Sequence, residues 1–497
     1  MASKRSSRSR FLGNFDLAGE ASVIGQLRLR GSATSLEVHA DRQIGMEHHH
    51  AYLTGHAYTG ELLTLIDCSR TSMSHTSGPQ LSTRYTASIY PSYVAVGRHH
   101  FDPGQPCIES IQFSTTDLHT LFHDYHAFGT IHDSRGDFAR LLGELKEDRA
   151  IPIGEAPTIA YFTGKYRIAE AITRLGKVSV NHSLSYNFGG PSGVHLRNRM
   201  YVAIEPEAPM TFVAAIEAMT DVALFLSVGA GRGQGITRIH VGLASQGEKH
   251  PAYAQVHMSF PWKVRRASDR FRPHPADVPL RPIEEPEEFQ KVLTDWLARQ
   301  PEWRIARHRY LSCLRKANTF GSDRLITAAN MFDLLPMGAV PEDSDLSPEM
   351  AQARETCRAA FRDLPDSPER SSALSAMGRL GSASLPKKVL HRVAMLEPTF
   401  GRVFPDLGLV ATTAVKVRNV YVHGRSKDFD IDKVEPFTPF LTEALEFVFG
   451  ASDLLQAGWN SQRWLSGSFA GRHSFSRFLD SYRYEAPELK RVLTSRP

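Results

Sequence analysis

Five prolines, Pro273, Pro275, Pro279, Pro282 and Pro286, fall within fourteen residues, with charged residues between them. Proline fixes φ and has no N–H to give, so neither a strand ladder nor a helix can run through such a stretch. A stiff linker is therefore expected over 271–286, with a separate folding pattern on each side. At 497 residues the chain is too long for one ordinary core, and two or three domains are expected in any case.

The two sides differ in period. From Leu27 to about Phe260 short alternating runs dominate, among them Leu62 to Ile66, Tyr85 to Ile89, Arg199 to Ile204 and Tyr253 to Met258, punctuated by Gly, Pro, Asn and Ser. This predicts a largely antiparallel sandwich or barrel over 16–270, interrupted by helices at Phe138 to Lys146 and about Thr211 to Val228. Beyond the prolines, apolar residues recur at steps of three and four, as in Phe289, Val292, Leu293, Trp296 and Leu297, and in Leu325, Ala328, Ala329 and Phe332. Residues 287–497 should form an all-α bundle, with helices near Pro348 to Phe361, Glu369 to Leu380, Pro386 to Leu396 and Pro439 to Leu455. Its end reads as irregular and aromatic, with Trp459, Trp464 and Phe469. The expected class is α+β multidomain: a β-rich, sandwich-like N-terminal domain, then helices. Residues 1–15 carry Lys4, Arg5, Arg8 and Arg10 among serines with no apolar run after them, so they read as a disordered basic tip rather than a secretion signal.

Composition excludes several classes. The formal charge is only +5, and each half is close to neutral, so any nucleic-acid contact has to be local, as in an active-site groove. Cys68, Cys107, Cys313 and Cys357 form no CxxC pair and read as reduced, mostly buried thiols of a cytoplasmic protein. The most apolar stretch, Val222 to Val228, is far too short to span a bilayer, and no membrane association is expected. Glu47 to His50, with His56 nearby, is the most metal-like cluster, but consecutive histidines diverge, so an exposed loop tract is the reading and no metal or cofactor is expected. Gly229, Gly231, Gly233 and Gly235 mimic a nucleotide fingerprint, yet they follow a helix and precede a strand, the reverse of what phosphate binding requires. They read as a mobile turn.

The chemistry concentrates in Arg418-Asn419-Val420-Tyr421-Val422-His423-Gly424. Leu407, Val410, Ala414, Val417 and Tyr421 before and within it mark a helix burying one stripe, and Gly424 supplies a stop. A second Arg-x4-His pair, Arg70 and His75, lies among Thr and Ser next to Gly78 and Pro79; it reads as a loop and a decoy. On a helix, Arg418 and His423 lie about 140° apart around the axis. They converge on one phosphate only if the helix end loosens at His423 or a second subunit brings its own pair alongside. RNA cleavage needs a base for the 2′-hydroxyl proton, an acid for the leaving oxygen and a cation over the phosphorane; two copies of one histidine across a twofold axis supply the first two. Asn419 is suited to bond a phosphate oxygen or orient the ring.

The run Val415 to Gly424, with helices on both sides, resembles the HEPN ribonucleases, whose signature is arginine, a polar residue, three variable positions and histidine. A β-rich half followed by a HEPN half of about two hundred residues resembles the ApeA family of bacterial anti-phage defence proteins. The resemblance implies metal-independent RNA cleavage that halts the infected cell, with Arg418, Asn419 and His423 as the matching site residues. It also implies a homodimer and a phage-derived trigger at the N-terminal part. Some HEPN toxins carry tyrosine two positions after the histidine; here that residue is Arg425, so a step relying on the tyrosine is not implied.

Arg425 and Lys427 stand beside the expected phosphate, and Lys387 and Lys388, with His391 and Arg392, should make one face of a helix basic; these are the candidate RNA contacts. Trp459 and Trp464 read as core rather than as base-stacking platforms. Single-stranded loops, as in tRNA or another structured RNA, would let the 2′-hydroxyl reach its in-line geometry. The competing reading is a non-catalytic dimeric interaction protein whose β-rich domain binds a carbohydrate or a protein ligand.

Overall fold

The computed structural model describes residues 9–17, 22–44, 47–78, 81–132, 134–144, 152–187, 193–244, 251–260, 272–342, 346–378, 380–381, 383–424 and 429–495. Packing divides the chain into two units: Met1–Leu226, Gln234–Val264 and Leu280–Leu297 in the first, and Ser227–Gly233, Arg265–Pro279 and Ala298–Pro497 in the second.

The first unit opens with strands β1 (Arg10–Asp16), β2 (Val23–Arg28), β3 (Ser35–Ala40), β4 (His49–Ala57), β5 (Leu62–Gly78) and β6 (Leu81–Gly97). They pair in the order β6-β3-β2-β1-β4-β5, and β5 pairs back onto β6, so of the two alternatives, sandwich or barrel, this part is a closed barrel. Alternation decides what lies inside: along β1, Phe11, Gly13 and Phe15 are buried and their neighbours exposed. Leu27, Leu36, Val38, Leu53, Leu63 and Leu65 complete the interior. Gly55 makes room there, since a Cβ at that position would come within 2.5 Å of the Phe15 ring.

β6 continues past the barrel. Its first half, through Tyr85–Ile89, pairs with β3, whereas its second half, through Tyr93–Val96, pairs with a later strand. Pro91 sits at this change of partner, where a missing N–H costs least. The remaining strands are β7 (Ile108–Thr115), β8 (Phe128–His132), β9 (Thr158–Phe162), β10 (Arg167–Thr173), β11 (Gly176–Asn181), β12 (Leu184–Asn187), β13 (His195–Asn198), β14 (Tyr201–Glu205), β15 (Ile236–Leu243) and β16 (Ala252–Met258). From β6 the sheet extends as β16-β15-β7-β14-β11-β10, while β8–β9 and β12–β13 form separate two-stranded sheets.

The helices are α1 (Leu118–Leu121), α2 (Arg135–Glu144), α3 (Phe212–Ala230), α4 (Pro286–Arg315), α5 (Ser322–Asp333), α6 (Pro348–Arg362), α7 (Pro368–Gly378), α8 (Leu385–Phe400), α9 (Leu407–His423), α10 (Ile431–Val434), α11 (Thr438–Gln456), α12 (Ser461–Leu465) and α13 (Ser474–Thr494). By length and composition α3 could cross a membrane, but 72% of its apolar window is buried within the protein, as in a core helix. In the second unit α11 is the central helix, buried from Thr438 through Leu454 at most positions and packed by α5, α8, α9 and α13. A helix apolar on all sides belongs inside a bundle.

Six sequence expectations are corrected. Residues 10–15, expected to belong to a disordered basic tip, lie in β1, where pairing with β2 satisfies their backbone and Phe11 and Phe15 are buried. Arg70 and His75 lie within β5, where the pairing with β6 supplies the backbone partners that a Ser/Thr-rich stretch does not suggest on its own. His49 and His50 begin β4 instead of forming an exposed loop; His50 is buried, and His49 Nε2 lies 2.8 Å from Asp67 Oδ1. The glycine turn after α3 is packed, not mobile: Gly231, at φ +64°, and Gly233 leave no space for a Cβ beside His473 and Arg315. The C-terminal end is not irregular, because α13 packs Phe475, Phe478, Leu479 and Tyr482 inward. Pro487 lies inside this helix, a residue that by itself argues against a continuous one. Finally, Cys357 is exposed and Cys107 half-buried, leaving only Cys68 and Cys313 buried.

In the proline-rich stretch, Asp277 is fully buried and accepts the N–H groups of Ala470, Arg472 and His473 at 2.5–3.4 Å. This segment is packed into its unit because the carboxylate satisfies backbone donors ahead of α13.

Candidate active site

α9 forms as its stripe predicts: Leu407, Val410, Ala414 and Val417 are buried and Tyr421 is half-buried. Gly424 ends it at φ +91°, a conformation that side-chain-bearing residues avoid, and its N–H bonds Val420 O at 2.9 Å. The helix stays regular through His423, so Arg418 and His423 keep their angular separation of about 140°.

Arg418 is half-buried and held at two points. Nη2 donates to Asn330 Oδ1 at 2.8 Å, and Nη1 to Asn419 Oδ1 at 3.1 Å. Its Nε is buried and finds no hydrogen-bond partner among the described residues. Of the five N–H donors of a guanidinium, these two bonds engage two. Asn419 is exposed; with its carbonyl engaged by Arg418, its amide nitrogen is the group left for an incoming acceptor. His423 is exposed at the last helical position, and among the described residues its ring makes no hydrogen bond.

The end of α5 organises the surroundings. Asn330 holds Arg418, and Asp333, one turn on, pairs with Lys388 Nζ of α8 at 3.2 Å. Two residues singled out on separate helices, Lys388 and Arg418, are thus tied to one helix end. Sequence reasoning missed Asn330 and Asp333, because they lie beside the Leu325–Phe332 stripe and only packing shows what they reach. Tyr421 fixes the other side of α9, with its hydroxyl 3.4 Å from Glu435 Oε1 and 3.3 Å from Thr438 Oγ1.

Of the remaining candidates, Lys387 is exposed on α8. Arg392 does not contribute to a basic face there: it is buried, donating to Ser452 and Gln456 at 2.9 Å and lying over Trp303. Trp459 and Trp464 are buried, and their indole N–H groups bond the Pro279 and Asp277 carbonyls. Arg425 and Lys427 lie outside the described residues. Among the described residues no group of three or more His, Cys, Asp or Glu is placed to hold a metal ion.

Residues 10–296 match the family described as ApeA N-terminal domain 1, well over half of the chain. The match ends within α4, before the Arg418–His423 segment. No curated protein and no solved structure matches the chain. With the β-rich region carrying that match and the helices following it, the chain belongs to the ApeA family of anti-phage defence proteins.

Proposed function

We propose that this defence protein is a cytoplasmic, metal-independent endoribonuclease of HEPN type, acting at a site composed from two copies of α9. The observation that carries this reading is the tethered guanidinium of Arg418 on the same exposed helix end as His423. Arg418 offers its remaining N–H donors to a scissile phosphate, and Asn419 its amide. One His423, neutral, takes the 2′-hydroxyl proton as that oxygen attacks phosphorus. The second His423, protonated, gives its proton to the departing 5′-oxygen. The products are a 2′,3′-cyclic phosphate and a 5′-hydroxyl, with no net change in protons. Because the two side chains of one α9 diverge, the second histidine comes from a second subunit. The β-rich domain holds this activity in check until a phage-derived component binds it, and single-stranded loops of structured RNA are the substrate class.

RNA ends mapped in phage-infected cells producing the full chain test this. Cyclic-phosphate ends should accumulate with the wild type and drop by at least about a hundredfold with His423→Ala, at equal protein level. Ends bearing 5′-phosphate, or equal cleavage by the variant, would rule the mechanism out.

A further inference from the structure

Around β14 and β7 the sheet turns one face into the first unit, where Ile111, Phe113, Val202 and Ile204 are buried. The other face carries a different set. Arg199 is exposed and Tyr201 half-buried, alternating with the buried Met200 and Val202, and Arg197 is exposed on β13 two residues earlier. Ser114 of β7 links the flanking segments, since its Oγ donates to Met200 O at 2.7 Å and its carbonyl receives Thr237 Oγ1 at 3.4 Å. Arg199 and Arg238 are the chain neighbours of those two residues, so β7 brings one arginine to each of its sides. Arg238 lies at a register shift in β15 with φ +54°. A side chain kept at positive φ in a bulge points to a use for that side chain.

Among the described residues, Arg197, Arg199 and Arg238 have no ion pair and no side-chain hydrogen bond. Their charges act on one another instead. Burial draws the Arg238 guanidinium below its usual range, and Arg199 and Arg197 add to the fall. Like charges gathered without a carboxylate between them repel until an anion joins them. The nearby Glu205 does not serve, because it is paired with Lys177. Aromatic rings stand beside the arginines. Tyr253 of β16 is 46% exposed and takes a hydrogen bond from Gln112 Nε2 at 3.1 Å. Burial first, then Tyr253 and Glu205, push the Tyr201 hydroxyl up, which marks the two tyrosines as neighbours. His240, opposite Gln112, is lowered by burial and by Arg238, so its ring is neutral at neutral pH.

From the uncompensated arginines and the aromatic face beside them, we propose that the outer face of this sheet binds single-stranded nucleic acid. Arg197, Arg199 and Arg238 meet backbone phosphates, and Tyr253 and Tyr201 offer ring surface to unpaired bases. An acidic protein would satisfy the guanidiniums but has no row of planar bases for the rings. Charge and stacking of this kind read the strand without reading its sequence.

The test is independent of the nuclease reading. The full-length protein is titrated against a fluorescent oligothymidylate of about 16 nucleotides, which lacks the 2′-hydroxyl that the proposed cleavage needs, and anisotropy is followed at several salt concentrations. Saturable binding is expected, with log Kd rising against log salt at a slope of about 2, or about 0.7 for each of three phosphate contacts. Arg197→Ala and Arg199→Ala should each lower that slope by about 0.7. Arg238→Gly should do the same without lowering Tm, because the change relieves φ +54°. Tyr253→Ala should weaken binding about tenfold at every salt concentration and leave the slope in place. The arginine variants keep the test open where the tyrosine variant lowers Tm. Polyglutamate of matched charge should bind at least about tenfold more weakly than the oligonucleotide. Equal binding of polyglutamate would make this a surface for an acidic protein and overturns the proposal. So does the absence of saturable binding, or binding unmoved when all three arginine changes are combined.

Discussion

Asn330 shows how much of the proposed chemistry depends on a residue that does none itself. Its carbonyl oxygen receives Arg418 Nη2 at 2.8 Å, and without that tether the guanidinium is free to leave its rotamer. A hydrogen bond to a charged group is worth about 1.5–3 kcal/mol. Asn330→Ala should therefore lower RNA cleavage by about tenfold or more while barely changing Tm, and Asn330→Asp should restore much of the loss by keeping an acceptor there. If Asn330→Ala cleaves at the wild-type rate, Arg418 is not positioned through α5. Nearby, Arg324 and Glu446 are both buried and bonded twice to each other. Removing one partner strands the other charge, and Glu446→Ala should cost about 3–5 kcal/mol in urea unfolding. A loss below about 1 kcal/mol would mean that water already reaches the pair. At this scale the sequence named the candidate residue types but not the directions of their side chains. Arg392 is expected on a basic helix face, yet it lies buried between Ser452, Gln456 and Trp303, because α11 and α4 supply partners distant in sequence.

Among the elements, α9 was the most legible, since its stripe and its glycine stop both act locally. Gly424 holds φ +91° and ψ 176°, a region nearly closed to other residues. Gly424→Ala should cost about 1–3 kcal/mol and shift His423, so that activity falls further than stability does. Unfolding curves and cleavage rates of the variant together would show this, and equal effects on both would place Gly424 in a purely structural role. The β5–β6 hairpin was legible only in part. Its inner residues alternate, as along Leu63 and Leu65, but its outer reach through Arg70 and His75 carries little apolar signal and forms because each strand satisfies the other's backbone. α13 was missed for a related reason: Pro487 suggests a break, while the burial of Phe478, Tyr482 and Leu489 holds the helix together.

For the whole molecule, the proposed composite site makes activity a property of an assembly. Cleavage per subunit should fall on dilution through the dimer dissociation constant, and mixing wild-type with His423→Ala subunits should depress the rate beyond simple dilution of active chains. Sedimentation read beside cleavage would check both. A concentration-independent rate from a monomer would remove the two-copy arrangement and favour the reading in which the helices serve only for interaction.

What the sequence determined by itself was whatever depends on near neighbours: the switch from a period of two to a period of 3.6 across the prolines, the helix that ends at Gly424, and the Arg, Asn and His types gathered there. Closure of β1–β6 into a barrel, the burial of Asp277, the tether from Asn330 and the gathering of Arg199 with Arg238 were decided by tertiary structure. Each joins residues far apart in the chain, such as Asn330 with Arg418 or Asp277 with His473. Hydrogen bonds and packing of that kind become favourable only once the chain has collapsed around them, so no local pattern announces them.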